Sequence, residues 1–92
     1  MKEVHLYISG FVQGVGFRNF VQYTARKMGV VGWTRNLVDR RVEVIAQADE
    51  KTLKKFVEIC SRGPFLSEVK SVSIEWGEPN EIFEEFKRRP TA

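Results

Sequence analysis

Two residue types that carry much of enzyme chemistry are almost missing from this sequence, which has one cysteine, Cys60, and one histidine, His5. A lone cysteine cannot form an internal disulfide, and neither residue has a cysteine or histidine companion at metal-ligand spacing. A Ser–His or Cys–His nucleophilic pair would have to use His5. We therefore expect no zinc site and no such pair, with Cys60 in the core and His5 on the face of a strand.

Long apolar runs and dense charge of one sign are also missing. No run approaches the ~20 apolar residues that a membrane span requires, and no signal-peptide apolar segment follows the N-terminus. The 15 basic and 12 acidic residues leave a net charge of +3 and are mostly interspersed, unlike the dense basic stripe of a typical nucleic-acid binder. We expect a cytoplasmic protein with neither a membrane nor a nucleic acid as partner, and the mild positive charge suits a small anion.

The chain has room for one domain, because it has only 92 residues, and we assign residues 1–92 to a single, monomeric unit. Apolar side chains with a period of two predict strands, and a period of 3.6 predicts helices. A glycine or a Gly-Pro pair ends each helix, and Asp49 caps the second one. The predicted elements are a strand at 4–8, a helix at 17–28, strands at 30–37 and 42–48, a helix at 50–62, and strands at 72–76 and 82–87.

This β-α-β-β-α-β order, with an extra strand at its end, predicts the fold class. Two helices are too few to cover both faces of a sheet, so both should pack on one face. The expected architecture is an α+β sandwich of the ferredoxin-like kind, with an antiparallel sheet of four to five strands and two helices on one face. The side chains of His5 and Tyr7 should then lie on the open face.

The loop between the first strand and the first helix is the most informative stretch. Its glycines Gly10, Gly14 and Gly16 let the backbone curl so that successive N–H groups point into one concavity, which forms a nest for an anion. The loop leads directly into a helix N-terminus, which favours the same anion. Arg18 lies in the first helical turn, and its planar guanidinium can bind two phosphate oxygens at once. The pattern indicates a cradle for phosphate or carboxylate, although a tight strand-to-helix turn with a solvated Arg18 would look the same.

Three other motifs fit this loop poorly. The dinucleotide-binding fingerprint requires a third glycine after Gly14 and Gly16, and a parallel sheet. A P-loop ends in Gly-Lys-Ser or Gly-Lys-Thr, which is missing here. The RNA-recognition signature needs aromatic residues exposed on an inner strand, whereas Phe17 and Phe20 fall on the apolar face of the predicted helix. These two aromatic residues are better explained as core.

The run Val12-Gln13-Gly14-Val15-Gly16-Phe17-Arg18 resembles the signature of the acylphosphatase family. A second block, Gly32-Trp33-Thr34-Arg35-Asn36, is similar to the Gly-aromatic-x-basic-Asn element of that family. A third piece, Gly63-Pro64 followed by Val69, Val72, Ile74 and Trp76, resembles its second-helix exit and fourth strand. The resemblance covers nearly the whole chain.

The resemblance implies an enzyme that hydrolyses acyl phosphates to carboxylate and phosphate, without metal or cofactor. It places the phosphoryl group on Arg18 and makes Asn36 the residue that holds the attacking water. From the residues alone, Asn36 would be interpreted as a turn asparagine and Arg35 as a solvated strand residue. In the reaction that the resemblance implies, inorganic phosphate is both a product and an inhibitor. The implied backbone contacts to the phosphoryl group come from the N–H groups of Gln13, Gly14, Val15, Gly16 and Phe17.

Three positions depart from the family pattern. Arg40 stands where the family usually has a glycine, in the hairpin after Asn36, and Ala48 stands where a second glycine is expected. Thr34 replaces a small apolar residue. A type I′ hairpin needs positive φ at both central residues, so either the turn has another geometry or the strain at Arg40 is accepted. We expect the strand to hold Asn36 in place. Two alternatives stay open: a non-catalytic anion-binding or accessory module on this fold, and a nucleic-acid-binding sandwich that uses the open face.

Overall fold

A computed structural model describes all 92 residues, Met1–Ala92. It confirms the predicted order of elements, including the short strand at the end. The elements are β1 (Lys2–Phe11), α1 (Phe17–Met28), β2 (Val31–Asn36), β3 (Val42–Ala48), α2 (Glu50–Arg62), β4 (Glu68–Gly77) and β5 (Phe86–Arg88). The last strand is shorter than predicted, because residues 82–85 belong to the connection that leads to it.

The five strands form one sheet in the order β4-β1-β3-β2-β5. The three pairings along β4-β1-β3-β2 are antiparallel as predicted, but β5 pairs with β2 in parallel. The sheet is therefore mixed, which the prediction of an antiparallel sheet did not include. The reason is where β4 ends: Gly77 lies beside Glu3, at the end of the sheet where β2 begins. A chain that crosses the sheet at that end reaches Gly32 and runs on in the same direction as β2.

Both helices pack on one face of the sheet, around a core of 17 buried apolar residues. The apolar side chains that recur with a helical period in α2 are all buried, namely Leu53, Phe56, Val57 and Cys60. Each such side chain contributes roughly 1.5–3 kcal/mol of burial free energy. Gly29 ends α1 in the left-handed conformation with φ 74°. The carboxylate of Asp49 accepts a hydrogen bond from the Thr52 N–H and so caps α2. No helix of the protein is both long and apolar enough to cross a bilayer.

The opposite face carries an ion-pair cluster centred on Glu43, whose side chain is only 5% exposed. Its carboxylate oxygens lie 2.6 Å from Nε2 of His5 and 2.7 Å from Nε of Arg35. Burial raises the pKa of Glu43, but the hydrogen bonds from Arg35 and His5 outweigh it and hold the pKa below its ordinary value. His5 thus lies on a strand face as predicted, and Arg35 is paired with a carboxylate rather than only solvated.

Candidate active site

The loop that joins β1 to α1 is anchored to the core by its apolar side chains. Val12 and Phe17 are each 1% exposed, and Val15 packs against the same core cluster. Between them, Gly14 and Gly16 adopt left-handed backbone with φ 76° and 77°. A Cβ at either glycine would meet no atom within 4 Å, so the backbone conformation, and not lack of space, is what favours glycine here.

The amide groups of this loop are free to bind a ligand. The N–H groups of Gln13 to Gly16 donate no hydrogen bond to the backbone, and the first bond of α1 runs from the Phe20 N–H to the Gly16 carbonyl at 3.0 Å. The N–H groups of the first helical turn, which begins at Phe17, are therefore also open. The positive end of the helix dipole lies at the same place. A run of open amides next to a helix N-terminus forms an anion-binding nest.

A cavity of about 200 Å³ lies against this loop. It brings together the predicted residues Arg18 and Asn36, which are far apart in the sequence, with the loop glycines. The side chains of Gln13 and Val15 point elsewhere, the first to the neighbouring hairpin and the second to the core. The lining residues are Val12, Gly14, Gly16, Phe17, Arg18, Asn19, Asn36 and Arg88.

The charge of this cavity is entirely positive. None of its lining residues is acidic, and its two cations are Arg18 and Arg88. Neither guanidinium forms an ion pair with a carboxylate of the protein. Nη1 of Arg88 instead donates a hydrogen bond of 2.6 Å to Oδ1 of Asn19. Two uncompensated guanidiniums beside open amide groups are suited to an anion with several oxygens, such as a phosphoryl group.

The sequence analysis did not identify Arg88 as a site residue. The signal that could have found it is strand alternation. Phe86 is fully buried on the helix side of the sheet, so Arg88, two residues later, points to the same side, where α1 begins. Arg89 points to the other side, where its guanidinium lies 4.6 Å from the ring centre of Trp33.

Asn36 is the last residue of β2, and its backbone is held from both sides. It pairs with Val42 of β3, and its carbonyl accepts a hydrogen bond of 3.1 Å from the Ala92 N–H. The expectation that the strand holds Asn36 in place is therefore confirmed, and the residue lines the cavity. The departure from the family pattern in the following hairpin has not moved it away from the loop.

The hairpin after β2 keeps an arginine in a conformation that favours glycine. Arg40 has φ 78° and is the only non-glycine residue with positive φ. Only one residue of the turn is left-handed, so the turn is not the type I′ geometry, and the strain is accepted at Arg40 at a cost of about 1 kcal/mol. The Leu37 N–H donates to the Arg41 carbonyl at 2.8 Å and closes the hairpin. The Arg41 N–H donates to the carboxylate of Asp39 and helps to hold the pKa of Asp39 below its ordinary value.

The two other departures carry no comparable strain. Ala48 ends β3 in pairing with Lys2 and has no positive φ, so glycine is not required there. Thr34 is fully buried, and its hydroxyl donates a hydrogen bond of 2.9 Å to the Glu43 carbonyl. The polar atom that replaces an apolar group is therefore satisfied within the sheet.

The side chain of Gln13 ties the loop to the hairpin. Its Nε2 donates two hydrogen bonds of 2.9 Å, one to the carbonyl of Leu37 and one to that of Arg41. The sequence indicated only a backbone role for Gln13. Because Asn36 lies directly before Leu37, this bridge couples the anion nest to the strand that carries the asparagine. The glutamine side chain thus links the loop to the hairpin that follows Asn36.

The chain is similar to known proteins over nearly its whole length. The family model described as Acylphosphatase matches residues 4–88. An acylphosphatase of Thermococcus kodakarensis is 45% identical over 89 residues, which cover 95% of this chain and 97% of that protein. The crystal structure of acylphosphatase from Bacillus subtilis superimposes with a TM-score of 0.94 at 37% identity, and the match covers 97% of this chain and 99% of that one.

The same fold also occurs inside a much longer protein. The crystal structure of full-length HypF in its phosphate- and nucleotide-bound form matches with a TM-score of 0.85 at 29% identity. That match covers 99% of this chain but only 12% of HypF. The family match includes the loop with Arg18, the strand with Asn36 and β5 with Arg88. By its sequence and its fold, this chain belongs to the acylphosphatase family.

Proposed function

We propose that this chain hydrolyses the carboxyl–phosphate anhydride of small acyl phosphates, with Arg18 and Asn36 as its catalytic residues. The observation that carries the proposal is the cavity in which open backbone amides, Arg18 and Asn36 meet without any acidic residue. Such a lining attracts a phosphoryl group and does not repel its charge. The single core cluster, to which both helices and the sheet contribute, supports residues 1–92 acting as one domain.

The phosphoryl group is bound by the loop and by Arg18. The N–H groups from Gln13 to Phe17 surround its oxygens, and the guanidinium of Arg18 binds two of them in a bidentate manner. In phosphoryl transfer, catalysis comes mainly from positioning and from stabilising charge on these oxygens. The donors are fixed before substrate arrives, because Val12 and Phe17 anchor the loop in the core. Little reorganisation is then needed during the reaction.

The chemical step is an in-line displacement by water. The side-chain amide of Asn36 orients a water molecule opposite the bond to the acyl oxygen; an amide can both donate to and accept from water although it is a weak base. The water oxygen forms a bond to phosphorus while the bond between phosphorus and the acyl oxygen breaks. The electron pair leaves with the carboxylate, which is a good leaving group and needs no strong acid. The protons of the water remain on inorganic phosphate and in solvent.

A second candidate is a phosphate-binding or accessory module without turnover. The observation that favours it is the match to HypF, in which this fold makes up only about an eighth of the chain. The cavity would bind phosphate in both cases. Only a measurement of turnover separates an enzyme from a binding module.

The deciding experiment measures hydrolysis of acetyl phosphate in excess EDTA. We expect turnover that survives chelation, is inhibited competitively by inorganic phosphate, and falls about 10³-fold or more in Arg18→Ala, since a fixed donor to the reacting group is lost. Asn36→Ala should lower kcat more than it raises KM. The control is Arg62→Ala, which removes an exposed arginine that contacts only Glu58.

Each outcome assigns the function to one candidate. A folded protein that binds phosphate but does not turn over acetyl phosphate is an accessory module, and the hydrolase proposal is then wrong. Turnover that is unchanged in Arg18→Ala would place the chemistry outside this cavity.

A further inference from the structure

The cavity contains a second cation whose role is not explained by the loop and Arg18. Arg88 comes from β5, more than fifty residues beyond Asn36 in the chain, and lines the same cavity. It forms no ion pair with any carboxylate. The only hydrogen-bond partner of its side chain in the protein is Asn19, in the first turn of α1. One nitrogen of the guanidinium is therefore held, while the other donors remain open.

The backbone around Arg88 is held firmly enough to make this placement specific. Arg88 pairs with Thr34 in the parallel β2–β5 ladder. The next residue continues the contact, because the Arg89 N–H donates to the Thr34 carbonyl at 2.8 Å. The buried ring of Phe86 packs against Phe56 with 6.3 Å between ring centres and fixes which way the strand faces. The side chain of Arg88 is thereby directed towards the N-terminus of α1.

We propose that Arg88 binds the phosphoryl group of the substrate together with Arg18, as a second substrate-binding cation; this proposal rests on the proposed function. A phosphoryl group carries up to two negative charges, and the cavity presents two unpaired guanidiniums and no carboxylate. Asn19 positions Arg88 by accepting a hydrogen bond of 2.6 Å from its Nη1.

We expect Arg88 to contribute to substrate binding, whereas Arg18 also contributes to the chemical step. Arg18 follows the nest directly, so it acts with the amide groups that surround the reacting phosphorus. Arg88 reaches the cavity from β5, beside the strand that carries Asn36. A cation that contacts the phosphoryl oxygens equally before and during the reaction strengthens binding without changing kcat. Loss of Arg88 should therefore raise KM and the dissociation constant of phosphate, and leave kcat nearly unchanged.

The test compares Arg88→Gln with Arg89→Gln. The two variants remove the same charge from adjacent residues, but Arg89 lies on the other face of the sheet over Trp33. The dissociation constant of inorganic phosphate is measured by calorimetry, and KM and kcat are measured with acetyl phosphate. We expect Arg88→Gln to raise both the dissociation constant and KM about tenfold, since a charge-assisted contact is lost, with kcat within about twofold of the starting value. Arg89→Gln should change neither constant beyond about twofold, since Arg89 does not line the cavity and its exposed charge is screened by salt.

Arg88→Lys gives a second measurement, because lysine keeps the charge but loses the planar fork. It should recover part of the phosphate affinity, and phosphate binding by Arg88→Gln should depend less steeply on salt than binding by the unmodified protein. Equal phosphate affinities for Arg88→Gln and Arg89→Gln would overturn the proposal. So would a loss seen only with substrates whose acyl group carries a carboxylate, because Arg88 would then recognise the acyl group.

Calorimetry separates this proposal from the proposed function, because it needs no turnover. If the protein turns over acetyl phosphate and Arg88→Gln binds phosphate normally, the role of Arg88 is wrong and the hydrolase stands. If the protein binds phosphate through Arg88 but has no turnover, the hydrolase is wrong and the second cation stands. Urea unfolding of each variant shows whether a change in affinity reflects a change in fold.

Discussion

Two turns flank the candidate active site, and they differ in whether their backbone groups form hydrogen bonds within the protein. The β1–α1 loop leaves the N–H groups of Gln13 to Gly16 without backbone partners, whereas the β2–β3 hairpin closes on itself between Leu37 and Arg41. Both contain left-handed backbone, but the loop has it at the glycines Gly14 and Gly16 and the hairpin has it at an arginine. One turn is built to bind a ligand and the other to hold a strand.

The comparison shows how open backbone groups can be kept in a folded protein. Unpaired amides are unfavourable when they are buried, so the loop places them at an exposed concavity and anchors only its side chains, at Val12 and Phe17. The hairpin has no row of unpaired amides, and two of its carbonyls accept hydrogen bonds from the side chain of Gln13. The rigid turn thus supports the open one.

The largest effect is expected from removing the link between the two turns. Gln13→Ala deletes two hydrogen bonds of 2.9 Å to hairpin carbonyls, which together stabilise the fold by roughly 1–3 kcal/mol. We expect a loss of that size in urea unfolding at pH 7, together with a lower kcat/KM for acetyl phosphate. The control is Gln22→Ala, which removes a single long bond of 3.4 Å to the Phe86 carbonyl. Equal losses for the two variants would mean that the bridge has no special role.

A smaller effect is expected from changing the open turn itself. Gly14→Ala forces a side chain into φ 76° at a cost of about 1 kcal/mol, although there is space for the Cβ. We expect that loss in unfolding free energy and weaker binding of inorganic phosphate, because the nest is distorted. Gly77→Ala is the matched control, since Gly77 has no positive φ and a Cβ there would meet no atom within 4 Å. Unchanged phosphate affinity in Gly14→Ala would show that the amide of this residue does not contact the anion.

The smallest effect, of opposite sign, is expected from the hairpin. Arg40→Gly relieves the left-handed strain at φ 78° but increases the freedom of the unfolded chain, so the unfolding free energy should stay the same or rise by up to about 1 kcal/mol. Thermal unfolding measures it, and turnover should not change. Arg62→Gly, at the end of α2, serves as the comparison for losing an arginine side chain without relieving strain. A clear drop in the melting temperature of Arg40→Gly would contradict the strained-turn interpretation.

Local patterns were enough to predict most of the fold. Three such patterns depend only on residues that are near in sequence. They are the alternation of Val4, Leu6 and Ile8, the apolar stripe of α2 and the glycine that ends α1, and the structure confirms all three. The parallel pairing of β5 was not predicted, because it depends on where β4 ends relative to β2. A short strand at the sheet edge has too few residues to indicate its partner or direction.

The candidate site was predictable only where its residues follow one another in the chain. Glycine spacing and the following arginine indicated an anion nest at 10–18, and the family resemblance added Asn36. Arg88 and the bridge made by the side chain of Gln13 were missed. Both side chains contact segments that are distant in sequence, at separations of 69 and at least 24 residues.

The sequence by itself determined the order of the elements, the two helix faces and the loop whose backbone can bind an anion, because these depend on local periodicity and on the conformational freedom of glycine. Only the tertiary structure decided which distant side chains share the cavity with that loop. Strand pairing places Asn36 and Arg88 beside Arg18, and it leaves both guanidiniums without a carboxylate partner. The physical reason is that a cavity is formed by the packing of separate elements, so its charge depends on a topology that no single segment contains.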